Sequence, residues 1–145
     1  MSAIIFSGAD PSSAAPFTIP TMPFPRLTFL LAGIYGILVV APEYFLETRY
    51  GQDHPPAITH AEFFYGFVGV CLVFQILFLV IASDPVRFRP IMLIGVLEKI
   101  SFFVPAAVLY LQGRLNPLVM FFAFTDFIWA ALFIAAYLQT PHKSP

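Results

Sequence analysis

The chain has 145 residues, of which 59% are hydrophobic and only 10% charged, with a net charge of −1. A water-soluble domain carries about 25% charged residues, so this inventory excludes an ordinary soluble surface, and the near-neutral charge excludes a nucleic-acid footprint. The single cysteine, Cys71, forms no internal disulfide, and no Cys/His spacing suits zinc.

The first 26 residues form a Pro-rich tail. Pro11, Pro16, Pro20, Pro23 and Pro25 oppose a helix there. The stretch "AIIF" is too short for the apolar segment of a signal peptide. Four apolar runs of membrane-spanning length follow, at about 27–46, 61–82, 90–111 and 117–138. Thr59 and Glu62 have capping-box spacing before the second run, and Ser83-Asp84-Pro85 ends it. Pro90 opens the third run, and Gly113 suits its C-terminal cap. Asn116-Pro117 opens the fourth as N-cap and first helical residue. The short connections predict antiparallel neighbours, so the expected fold is all-α: a transmembrane up-down-up-down four-helix bundle with a short tail from residue 141. Arg26, Arg87, Arg89 and Lys143 fall on the side of the termini, against Arg49 and Arg114 on the other, which predicts cytoplasmic termini.

Ionisable residues inside a span are expensive and mark the bundle interior. Glu98, Lys99 and Asp126 lie deep in the third and fourth runs, roughly 12–14 Å from the nearer helix end at about 1.5 Å per residue. Helical phase places Ile91, Gly95, Glu98, Phe102, Ala106 and Leu109 on one stripe, flanked by Lys99. A second stripe holds Val119, Ala123, Asp126, Ala130, Phe133 and Tyr137, flanked by Trp129. Small residues on both stripes favour close approach, so the two are expected to face each other. Lys99 and Asp126 then form an ion pair, with the hydroxyl of Ser101 or Thr125 or a water available to bridge any gap. Pro105 frees the carbonyl of Ser101 near Glu98. Two acids share one base, which implies that one carboxyl is protonated or shares a proton. Two readings follow: a satisfied polar knot that fixes helix register, or a site for a ligand, ion or proton built from Glu98, Lys99, Asp126, Ser101 and Trp129.

A second cluster is expected at the opposite end from the termini. Gly33, Gly36, Gly66 and Gly69 permit close packing of the first two spans, which brings Glu43, His60 and Glu62 together. Two carboxylates and a histidine have donors for a divalent metal or a proton relay, but interfacial structure explains them as well, and no metal is assigned. No histidine pair lies inside a span to ligate haem, since His54, His60 and His142 all fall in loops or at ends. No cofactor is predicted. The Phe-dense words "AEFFYGF" and "MFFAFTDFIW" suit stacking on a flat apolar ligand such as a quinone or sterol, but lipid-facing packing accounts for most of them.

The words "APEYFLETRYG", "PPAITHAEFFYGFVGV", "ASDPVRFRPIMLIGVLEKISF" and "LYLQGR" together resemble a family of small four-span membrane proteins from bacteria, over about residues 30–138. The resemblance implies a four-helix fold and a bacterial inner-membrane location, and it brings no catalytic residue. A looser likeness to sterol-isomerase-like four-helix domains is architectural. Three functions remain open. The first is an accessory or interaction subunit of a membrane complex, with a membrane-protein partner, a second copy or lipid around it. The second is a binding or transport module for an apolar ligand, a lipid or a proton. The third is an isomerase-type enzyme using buried carboxylates.

Overall fold

The computed structural model describes residues 22–53 and 55–142. The expectations for the tail up to residue 21, for His54 and for Lys143 lie outside these residues. The described chain is all-helical: α1 Phe24–Val40, a 3-10 segment Ala41–Phe45, α2 Glu47–Asp53, α3 Ala61–Ser83, α4 Arg89–Leu111 and α5 Pro117–Gln139. Four of these, α1 with its 3-10 extension, α3, α4 and α5, are long and apolar enough to cross a membrane. Three of the expected spans hold to within a residue at each end.

The first span differs at both ends. It starts three residues early, because Pro25 sits in the first turn, where a missing N–H costs nothing. Phe24, Pro25 and Arg26 are therefore helix and not tail. At the other end Pro42 lies in the tighter 3-10 segment that follows Val40, so the regular α-helix stops well before residue 46. The short helix α2 then occupies what reads in sequence as loop. The Tyr65 hydroxyl donates to Glu47 Oε2 at 2.7 Å and holds α2 against α3.

The caps divide. Asn116 Oδ1 accepts from the Leu118 N–H at 2.8 Å, as its sequence predicts. Gly113 takes φ +69°, the Gly113 N–H donates to the Tyr110 carbonyl and the Arg114 N–H to the Leu109 carbonyl, which is a Schellman ending. The Thr59–Glu62 capping box does not form: His60 is the N-cap of α3 and no side chain caps the helix. Starting the helix one residue late removes Glu62 from the third position of the box.

Around the bundle the order is α1, α3, α4, α5, with α1–α3 and α4–α5 the most intimate pairs and α3–α4 the sparsest of the four neighbouring contacts. Contacts descend on one helix as they rise on the next, so neighbours are antiparallel: Phe29 and Tyr35 meet Phe133 and Trp129, and Met92, Gly95 and Lys99 meet Thr140, Phe133 and Asp126.

The half of the bundle nearest the chain ends is a dense apolar core. Phe29, Phe78, Ile81, Met92, Phe133 and Ala136 are wholly buried there. The Phe29 and Phe133 rings stack at 4.3 Å, and Phe78 meets Phe133 edge-on at 4.9 Å. Gly95 makes room for this: a Cβ there would lie 3.0 Å from the Phe78 ring and 3.4 Å from the Phe133 ring. Arg89 clasps the same end, its Nε donating to the Thr140 carbonyl at 2.8 Å while its guanidinium lies 3.9 Å from the centre of the Tyr137 ring. In the Phe-dense words Phe63, Phe67, Phe121, Phe122, Phe124 and Phe127 are exposed.

Candidate functional site

The expected meeting of α4 and α5 occurs, with a rotation. Lys99, placed by helical phase at the edge of its stripe, is the inward residue, with its side chain only 8% exposed. Its Nζ lies 3.1 Å from Asp126 Oδ1 and 3.2 Å from Glu98 Oε2. One ammonium therefore holds two carboxylates, one from its own helix and one from the neighbour. No bridge is needed between Lys99 and Asp126. A lysine stem reaches far enough to close the gap that the backward lean of side chains on antiparallel helices opens.

The two oxygens of Glu98 differ. Lys99 Nζ donates to Oε1 at 3.4 Å. Oε2 is closer to the nitrogen but outside hydrogen-bond geometry, and it is buried without a protein donor. Beneath the charges the Lys99 ammonium lies 5.4 Å from the centre of the Phe78 ring, so the apolar core forms the floor of the ionic centre.

Ser101 and Trp129, both expected at this site, do other work. Ser101 is exposed, and its hydroxyl donates to the Glu98 backbone carbonyl at 2.7 Å. Pro105 is exposed as well, so the carbonyl that it deprives of a helical donor belongs to the outer face rather than to the centre. The Thr125 hydroxyl donates to the Phe121 carbonyl. Trp129 packs at 5.9 Å from Tyr35 of α1 and 6.2 Å from Phe133, joining α5 to α1 and the core.

The second expected cluster does not assemble. His60 Nδ1 and Glu62 Oε1 are 3.2 Å apart, but their side chains are 71% and 70% exposed. Glu43 is half-buried on the 3-10 segment, where its charge acts on Tyr50 and on Cys71 instead. The reason is the early end of α1, since Pro42 turns Glu43 off the helical face that it would share with Gly36. Among the described residues no group of three or more His, Cys, Asp and Glu is placed to hold a metal.

Glycine does bring α1 and α3 together, though not all of the expected glycines take part. A Cβ on Gly33 would lie 2.9 Å from the Gln75 backbone oxygen, and one on Gly36 would collide with the Gln75 carboxamide. Gly69 faces the Tyr44 hydroxyl, while Gly66 has open space beside it.

Two residues near the centre escaped the sequence reading. Gln75 of α3 is 1% exposed, its Nε2 donates to the Cys71 carbonyl at 3.0 Å, and its Oε1 has no donor. A lone amide in the middle of "VFQILF" is the signal that marks it. Cys71 is half-buried one turn before Gln75, and its carbonyl accepts the Gln75 amide.

Two open hollows lie at the ends of the bundle. One of about 270 Å³ lies between Pro23, Arg26, Asp84 and Thr140, and one of about 350 Å³ lies between Glu47, Gly51, Gln52 and Ile58. Neither touches the charges. At mid-length the arrangement is a compact ionic lock between α4 and α5. Comparison with known protein families, with curated proteins and with solved structures returned no match.

Proposed function

We propose that the protein is a multi-pass protein of a bacterial inner membrane, with cytoplasmic termini, that serves as an accessory or interaction subunit. One observation carries this reading. In none of the four apolar helices is more than 28% of the 18-residue apolar stretch buried within the chain. Most of the apolar helix surface is therefore left for lipid and for a neighbouring chain. The ionic centre fits the same role, since it fixes α4 on α5 and holds that surface in one shape.

The seam between α3 and α4, the sparsest neighbouring contact, is where a partner helix has most to gain. Both helices also carry strongly exposed apolar residues, among them Val73 of α3 at 65% and Leu97 of α4 at 63% exposure. The basic residues Arg26, Arg87 and Arg89 on the terminal side support the orientation.

The test is extraction in native lipid nanodiscs with photo-crosslinkers at Val73 and Leu97, followed by native mass spectrometry. A stoichiometric second polypeptide, or a second copy, joined at both positions is the expected result. A lone chain carrying only lipid at both positions contradicts the proposal.

A further inference from the structure

The ionic centre has a charge that does not balance. Lys99 is the one cation at this depth among the described residues, and it faces two carboxylates. The other charged groups, from Arg26 and Glu43 through Glu62, Arg89 and Arg114, fall toward the helix ends. With all three groups ionised the centre carries one net negative charge, held in side chains only 8%, 13% and 20% exposed for Lys99, Glu98 and Asp126. A bare charge in such surroundings is neutralised by a bound proton or a counter-ion. Glu98 Oε2, buried and with no donor, is an oxygen available to take it.

Access to the centre is unequal from the two ends. On the terminal side Phe29, Phe78, Met92 and Phe133 close the bundle without exposure, and the Lys99 ammonium rests directly on the Phe78 ring. Toward the α2 end from Phe78 the buried residues are Gln75, Val68, Ala106 and Ala123, smaller than the Phe and Met side chains of the terminal side. Polar groups continue in that direction. Cys71 of α3 and Glu43 of the 3-10 segment are half-buried toward that end.

We propose that the Glu98–Lys99–Asp126 centre binds one exchangeable proton, and that this proton equilibrates with water at the α2 end of the bundle and not at the terminal end. This goes beyond an accessory role and does not depend on it. On binding, an O–H bond forms on the Glu98 or Asp126 carboxylate with a proton taken from water, and release returns the proton to water. Lys99 is the charged group in contact with both carboxylates, and Cys71 of α3 and Glu43 are half-buried titratable groups toward the α2 end. At the same depth α1 brings Tyr35, packed on Trp129.

The test is infrared spectroscopy of the full chain inserted in one orientation in liposomes. The protonated-carboxyl carbonyl band is expected in the wild type at neutral pH. Glu98→Gln and Asp126→Asn each leave one balanced pair and should lose the band. Lys99→Met removes the only cation and should raise the band about twofold, as both acids are then protonated. Because the two carboxyl variants keep a balanced pair, their folding is checked independently by circular dichroism. A pH jump on the α2 side should change the wild-type band, and the same jump on the terminal side should not. A wild type without the band, stabilised by sodium ions only while both carboxylates are present, overturns the proton in favour of a bound cation. A band that answers to both sides overturns the one-sided access while leaving the proton in place.

Discussion

Lys99 of α4 and Asp126 of α5 meet at 3.1 Å in the middle of the bundle, and the same ammonium lies 3.2 Å from Glu98. The lysine is thus the hub, and its removal differs in kind from removal of either acid. Taking one partner from a buried ion pair costs about 3–5 kcal/mol, because it strands a charge. Lys99→Met leaves two buried carboxyl groups without their cation, so that both must take up protons, and is expected to lose stability in that range. Glu98→Gln and Asp126→Asn each leave a one-to-one pair and should lose clearly less. Unfolding by denaturant titration in bicelles distinguishes the three, and equal losses would remove Lys99 from its central place.

The α1–α3 contact depends on a missing side chain at Gly36. A Cβ there collides with the Gln75 carboxamide, which is itself wholly buried. Gly36→Ala is expected to destabilise by about 1–3 kcal/mol, the usual cost of overpacking. Gln75→Ala in the same chain should relieve most of the clash. Gly66 has nothing within 4 Å, so Gly66→Ala should be neutral, or stabilise by about 0.5–1 kcal/mol through the backbone entropy of glycine. Thermal melts of the three variants check the order, and a Gly66→Ala loss as large as that of Gly36→Ala would contradict the packing account.

Arg89 ties the start of α4 to the end of α5 through its bond to the Thr140 carbonyl and its seat over Tyr137. Lysine keeps the charge but lacks the planar group that does both at once. Arg89→Lys is therefore expected to cost about 1–2 kcal/mol, and Arg89→Met more. Hydrogen exchange at the C-terminal turn of α5 should rise in both variants, and unchanged protection there would show that the clasp is dispensable.

Tyr50 of α2 titrates above its ordinary value, because burial and then the nearby charge of Glu43 disfavour its phenolate. The sign follows from linkage. A group with a raised folded-state pKa contributes stability that is complete below its unfolded value, about 10 here, and is lost as pH rises through the folded value. The α2 end should therefore loosen under alkaline conditions, and Tyr50→Phe should remove that part of the pH dependence. Tyrosine absorbance followed against pH, with limited proteolysis of the 47–60 segment as the readout, measures it.

The spans were readable because long apolar runs bounded by Pro, Gly and Asn leave few alternatives. The facing of α4 and α5 was readable from small residues and helical phase. The choice of Lys99 over Glu98 as the inward residue was not. In helices that are apolar all round, no polar face marks the outside, so phase cannot separate residues 100° apart. Helix α2 was missed because seven residues give too short a period to detect. The Glu43–His60–Glu62 cluster does not follow from glycine packing alone, because the 3-10 segment around Pro42 carries Glu43 off the regular helix of α1. Gln75 carried a signal that the sequence reading passed over: one amide in an apolar run must find a partner or a tight seat.

The most direct test of the ionic lock is a double-mutant cycle between Lys99 and Asp126, read as unfolding free energy in a lipid environment. Lys99→Met, Asp126→Asn and the double variant are compared with the wild type. The account predicts that the double variant loses clearly less than the sum of the two single losses, since Asp126→Asn removes one of the two carboxyl groups that Lys99→Met leaves without a cation. Losses that simply add would mean that the two side chains do not interact, and would contradict the central claim.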